Sequence, residues 1–144
     1  MARLSTDGLD DFENQIRKIE AGLRGEAITA MLTAGGEVLK RSWEDKIGEY
    51  HHVRTGAMQQ SVGITPVRYD GDGAYVEVYP MGTDSHRVTN AQKAFILHHG
   101  RSPKRIGTKG IKGDKFVTKA ERDATAAANA AMQQKLNEYI AGKE

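Results

Sequence analysis

Along the first fifty residues apolar side chains recur at intervals of three and four, and from about residue 61 the interval becomes two. Leu9, Phe12, Ile16, Ile19 and Leu23 share one face of a predicted first helix, with Asp7 placed to cap its start. Ile28, Met31, Leu32, Val38, Leu39, Trp43 and Ile47 trace a second stripe, and Gly22 and Gly25 loosen the junction between the two. The same spacing fits a single bent helix. Gly35-Gly36 falls inside the second stripe, and two interior glycines, at about 1 kcal/mol each against alanine, mark a kink or a close helix contact.

Between Ser61 and Tyr79 the alternation predicts a β-hairpin: Val62 and Ile64, then Val67 and Tyr69, on one arm, and Ala74, Val76 and Val78 on the other. Asp70-Gly71-Asp72-Gly73 supplies the turn. Pro66 lacks an N–H for the ladder, so the first arm is an edge or carries a bulge there. Thr89 followed by Gln92 predicts the capped start of a short helix that ends at Gly100. Thr118 with Glu121 predicts a second capping box, opening a helix that runs to about Tyr139 along a seam of Ala120, Ala124, Ala127 or Ala128, Ala131, Leu136 and Ile140. The expected fold is therefore α+β: a small antiparallel sheet with N-terminal amphipathic helices, a short middle helix and a long C-terminal helix, in one domain over residues 1–144.

Composition narrows the picture. With 38% hydrophobic and only 6% aromatic residues the core is sparse, and such a chain is expected to gain part of its stability from neighbours. The absence of cysteine excludes disulfides and thiolate metal sites. Neither a signal-peptide pattern nor a membrane-length apolar run is present, which predicts a soluble protein made in the cytoplasm and not inserted in a membrane.

The net charge of +2 conceals a segregation. Arg101, Lys104, Arg105, Lys109, Lys112, Lys115 and Lys119 share a stretch whose sole acid is Asp114, and glycines and Pro103 leave it little to bury. Residues 101–115 read as a flexible basic loop, able to touch a neighbouring subunit or DNA phosphates without sequence preference. No aromatic is interleaved among the cations of residues 101–115, which argues against single-strand stacking.

Catalytic chemistry is thinly represented. The pairs His51-His52 and His98-His99 lack the spacing of a metal-ligand set, and His86 is isolated. His98 is expected to face a packed or subunit surface, and His99 to lie at a helix C-terminus. Ser61 has no nucleophile elbow, Asp70 and Asp72 belong to a turn, and Gly107-Thr108-Lys109-Gly110 lacks the spacing of a phosphate-binding loop. The sequence thus predicts no enzyme and no cofactor; a nuclease built on His98, His99 and the basic loop is the strongest enzymatic rival.

Three short stretches, in this order, resemble the minor tail-component family of lambda-like long-tailed bacteriophages: Arg54-Thr55-Gly56-Ala57-Met58 with Ser61-Val62, then Ala94 to Gly100, then Phe116-Val117-Thr118-Lys119-Ala120. The likeness extends over nearly the whole chain. The chain departs from the family pattern at Lys93, His98 and Arg101, where tyrosine, glutamate and a threonine or serine are expected. The resemblance implies a structural virion protein of the neck, a tail-completion or head–tail joining component made in the host cytoplasm. Such a protein forms a homo-oligomeric ring of six subunits between the portal or head-completion proteins and the tail terminator or tail tube. A tail terminator ring is the neighbouring alternative, and a stand-alone DNA-binding accessory protein a further one.

Overall fold

The computed structural model describes residues 2–5, 10–19, 21–50, 56–70, 73–84, 87–101 and 110–141. The fold is α+β, and its elements follow in the order β1 (Ala2–Ser5), α1 (Asp10–Arg17), a 3₁₀ turn (Ala21–Leu23), α2 (Arg24–Glu49), α3 (Ala57–Gln60), β2 (Val62–Ile64), β3 (Arg68–Asp70), β4 (Gly73–Pro80), α4 (Asn90–His99), β5 (Gly100–Arg101), β6 (Ile111–Lys112) and α5 (Phe116–Ala141).

The predicted first helix proves shorter than its apolar stripe. It stops at Arg17, Ile16 and Ile19 are buried as expected, and Leu23 is 37% exposed on the 3₁₀ turn. Arg24 explains the break, because its Nε donates to the Ile19 carbonyl at 2.9 Å and its Nη2 to the Arg17 carbonyl at 2.9 Å. The second bond satisfies a carbonyl that the end of α1 leaves unpaired, and together they turn the chain into α2. The Asp7 cap lies outside the described residues.

The 26 residues of α2 run as one helix through Gly35 and Gly36, both buried. In place of the expected kink or close helix contact, Gly36 is approached by the sheet: a Cβ there would lie 3.2 Å from Ile64 Cγ2 of β2.

In the sheet β4 is central. The antiparallel hairpin forms as predicted, and its first arm is both an edge and bulged. Val62 pairs with Pro80 and Ile64 with Val78, whereas Arg68 pairs with Tyr75 and Asp70 with Gly73, so one extra residue enters the arm between β2 and β3. Thr65 bridges the irregularity: its N–H donates to the Glu77 carbonyl at 2.9 Å, and its Oγ1 accepts from the Glu77 N–H at 2.9 Å. A further strand, unforeseen in the alternation, lies on the other side of β4, where β1 pairs Ala2 with Val78 and Ser5 with Tyr75. Ala74, Val76, Val78 and Pro80 turn to the buried side of β4, and Tyr75, Glu77 and Tyr79 to a half-covered one.

The two 26-residue helices, α2 and α5, pack antiparallel. Trp43 meets Phe116, the Ser42 hydroxyl donates to the Ala120 carbonyl at 2.7 Å, and at the far end Tyr139 Oη donates to Glu26 Oε1 at 3.1 Å. The buried seam of α5 is Phe116, Ala120, Ala124, Ala128, Met132 and Leu136, a spacing of four throughout. Of the two predicted alternatives Ala128 holds the seam and Ala127 is exposed, Met132 takes the place predicted for Ala131, and Ile140 is half-buried at its end. Residues four apart are displaced by about 40° around a helix. The seam consequently winds from a cluster around Trp43, Met58, Val62, Val78 and Ala94 to a second around Ile19, Met31, Leu32, Val76 and Leu136, with Ile64 packed against both.

Candidate functional site: the junction of α4, the basic ribbon and α5

The basic segment predicted as a free loop has a built root. Thr89 caps α4 as expected, its Oγ1 accepting from the Gln92 N–H at 3.2 Å, and Asn90 anchors the first turn by donating from Nδ2 to the Met81 carbonyl at 2.9 Å. Ala94 is buried, and Gly100 stops the helix with φ 85 and its N–H on the Ile96 carbonyl. From there β5 pairs antiparallel with β6, placing Gly100 opposite Lys112 and Arg101 opposite Ile111. A two-stranded ribbon thus replaces the expected irregular loop at both ends of the segment.

Backbone crowding dictates two glycines here. A Cβ on Gly100 would lie 2.6 Å from the Gly113 nitrogen and 2.6 Å from the Ile111 carbonyl oxygen, and one on Gly113 would fall on the His98 carbonyl oxygen. The crossing is tied by main-chain bonds, from the Asp114 N–H to the Leu97 carbonyl at 3.2 Å and from the Lys115 N–H to the His98 carbonyl at 3.1 Å.

Beyond this crossing α5 begins at Phe116, two residues ahead of the predicted capping box, so Thr118 lies within the helix and does not cap it. The first turn is capped from outside. The Phe116 N–H donates to Asp114 Oδ1 at 3.0 Å and the Val117 N–H to His98 Nδ1 at 3.2 Å. Asp114 ahead of Phe116-Val117 was the available sequence signal, an acid of N-cap type before an apolar run. The part played by His98 has no local signal, because the two partners are 19 residues apart. Lys115, between the capping acid and the helix, takes φ 58, in the left-handed region.

His98 and His99 diverge. His98 is half-buried between the His99 ring, at 4.4 Å, and the Phe116 ring, at 6.2 Å, whereas His99 is exposed and leans on the exposed Phe95 at 4.4 Å. Burial first, then the neighbouring His99 and Lys115, hold the His98 pKa below its ordinary value of 6.5 against the opposing pull of Asp114. Its Nδ1 accepts a hydrogen bond, so the neutral ring carries its proton on Nε2.

Of the predicted contact residues, Arg101, Lys112 and Lys115 are exposed around this root, and Lys104, Arg105 and Lys109 lie outside the described residues. Lys119 extends the cationic surface along α5, its Nζ 4.7 Å from the centre of the Tyr50 ring. Among the motif residues Gly100 and Phe116 meet at this junction. Gly56 stands apart, opening α3 at φ 81, and its carbonyl accepts the Gln60 N–H at 3.0 Å. Arg54 and Thr55 lie outside the described residues, as do His51, His52, His86 and Asp72.

The junction can hold charge and fix geometry. Ser61 Oγ is committed to the Met58 carbonyl at 2.7 Å, and among the described residues no three His, Asp or Glu side chains gather to hold a metal. Nor is any described helix long and apolar enough to cross a membrane. No known protein family, curated protein or solved structure matches the chain.

Proposed function

We propose that the chain is a structural subunit of the neck of a long-tailed bacteriophage, assembling as a ring between the portal or head-completion proteins and the tail. The observation that carries the reading is the ordered set of motif residues. Gly56, Gly100 and Phe116 each occupy a joint of the fold: the left-handed start of α3, the stop of α4 with its backbone crossing, and the anchored start of α5. Residues placed this way shape a scaffold, and the work proposed is assembly, without catalysis or a cofactor.

The architecture supports the reading in two further ways. The arm formed by β2 and β3 leaves a sheet edge next to β4, and edges of this kind attract another chain. The outer face of α5 is lined with small and polar residues, including Ala126, Ala127 and Ala130, which permit close approach of a neighbour. In this arrangement Arg101, Lys112 and Lys115 at the ribbon root meet a neighbouring subunit or the genomic DNA passing through the ring. Contact with DNA there is weak and blind to sequence, consistent with phosphate neutralisation.

Quantitative mass spectrometry of purified virions from the phage or prophage that encodes the chain tests the proposal. About six copies per particle, the subunit number that the family resemblance implies for a closed ring, are expected. Absence of the chain from virions refutes the role and puts the DNA-binding reading first.

A further inference from the structure

His98 joins three pieces of structure that sequence keeps apart. Its ring nitrogen accepts the Val117 N–H of α5, its carbonyl accepts the Lys115 N–H, and the Gly113 backbone crosses directly over that carbonyl. The end of α4, the root of the basic ribbon and the first turn of α5 therefore share one histidine. An imidazole can accept at Nδ1 only while that nitrogen is unprotonated. Once protonated, it presents an N–H to the Val117 N–H and sets a positive charge against the positive end of the α5 dipole.

We propose that His98 is a proton-operated latch: neutral, its ring caps the first turn of α5 where that turn joins the root of the basic ribbon, and protonated, it releases that turn. Among the described residues, the groups that face the ring are His99 on its own helix, Asp114 and Lys115 from the segment after the ribbon, and the uncharged Phe116 and Val117 of α5. Asp114 is the one member of that set that favours the protonated ring, and its carboxylate already accepts from Phe116. Burial, His99 and Lys115 disfavour the added charge. The sign follows. With the folded pKa depressed, the latch contributes in full above the ordinary 6.5, and its contribution is lost as pH falls from there through the folded value. The device is independent of the neck assignment, since it rests on the local geometry alone.

Amide hydrogen exchange and imidazole resonances, followed by NMR on the full chain between pH 7.5 and 5, test the latch. Protection of Val117, corrected for the intrinsic pH dependence of exchange, is expected to fall by about fivefold, the factor a helix cap commonly supplies. Its midpoint should coincide with the His98 titration, while amides in the middle of α2 keep their protection. His98→Asn, which retains an acceptor near the Nδ1 position without a titrating group, should abolish the pH dependence, and His99→Asn should preserve it. Unchanged Val117 protection while the His98 ring titrates overturns the proposal, as does an equal loss at every amide. If His98→Asn fails to fold, the wild-type comparison of Val117 with His98 decides alone.

Discussion

The Phe116 ring stands edge-on to the Trp43 indole, with centroids 5.7 Å apart and planes at 85°. Both side chains are almost wholly buried, so this one contact joins the first turn of α5 to the last third of α2 beneath the basic ribbon. Edge-to-face aromatic pairs contribute beyond their buried area, and Phe116 is also the first of the six residues that form the buried seam.

Phe116→Ala should therefore destabilise the fold by about 3–5 kcal/mol, the range for a fully buried phenylalanine, and Phe116→Leu by about 1 kcal/mol. Urea unfolding followed through the fluorescence of the single tryptophan measures both. Equal losses for the two variants would show that the aromatic edge contributes the whole effect.

Gly113→Ala is expected to cost several kcal/mol, on the order of 3 or more, although residue 113 is neither in a helix nor in the sheet core. The cause is the His98 carbonyl beneath it, backbone that cannot swing aside like a side chain. Thermal unfolding of Gly113→Ala beside Gly25→Ala, where an added Cβ meets nothing within 4 Å, separates steric cost from loss of glycine as such.

Lys115→Gly should stabilise by about 1 kcal/mol, because a non-glycine residue at φ 58 carries a left-handed penalty that glycine escapes. Lys115→Ala removes the charge and keeps the penalty. A gain shared by both variants in a thermal melt would trace the effect to charge.

Lys46 Nζ lies 2.9 Å from Glu49 Oε2 and 2.7 Å from Asp123 Oδ2, fastening α2 to α5 outside the seam. Its hydrogen bond holds the Asp123 carboxyl below the ordinary 3.8, so the pair contributes above that pH and fades as pH falls through the folded value. Lys46→Met should raise the Asp123 pKa back toward its ordinary value, readable in its carboxyl chemical shift. The accompanying loss of melting temperature should be small, reduced by salt and absent in strong acid.

Much of this architecture was legible in local patterns. The period-two run gave β4 and the hairpin, Pro66 marked the place where the arm is bulged, and Thr89 with Gly100 bounded α4 to the residue. Where the outcome departs from these patterns, a partner outside the apolar periodicity decides it. The first helix ends early because Arg24 reaches back to the carbonyls of Arg17 and Ile19, and β1 exists because β4 offers it a ladder. The capping box at Thr118 was a plausible local signal displaced by Asp114 together with His98. At the candidate site the cations were visible by composition. The ribbon that roots them depends on a backbone crossing at two glycines, and no residue pattern announces which glycines will meet.

Because α2 and α5 each run the length of both core clusters, with Ile64 packed against the two, neither cluster can lose its packing while the other keeps its helices in place. The domain should melt as one thermodynamic unit, its calorimetric and van't Hoff enthalpies equal, even though its core is divided in two.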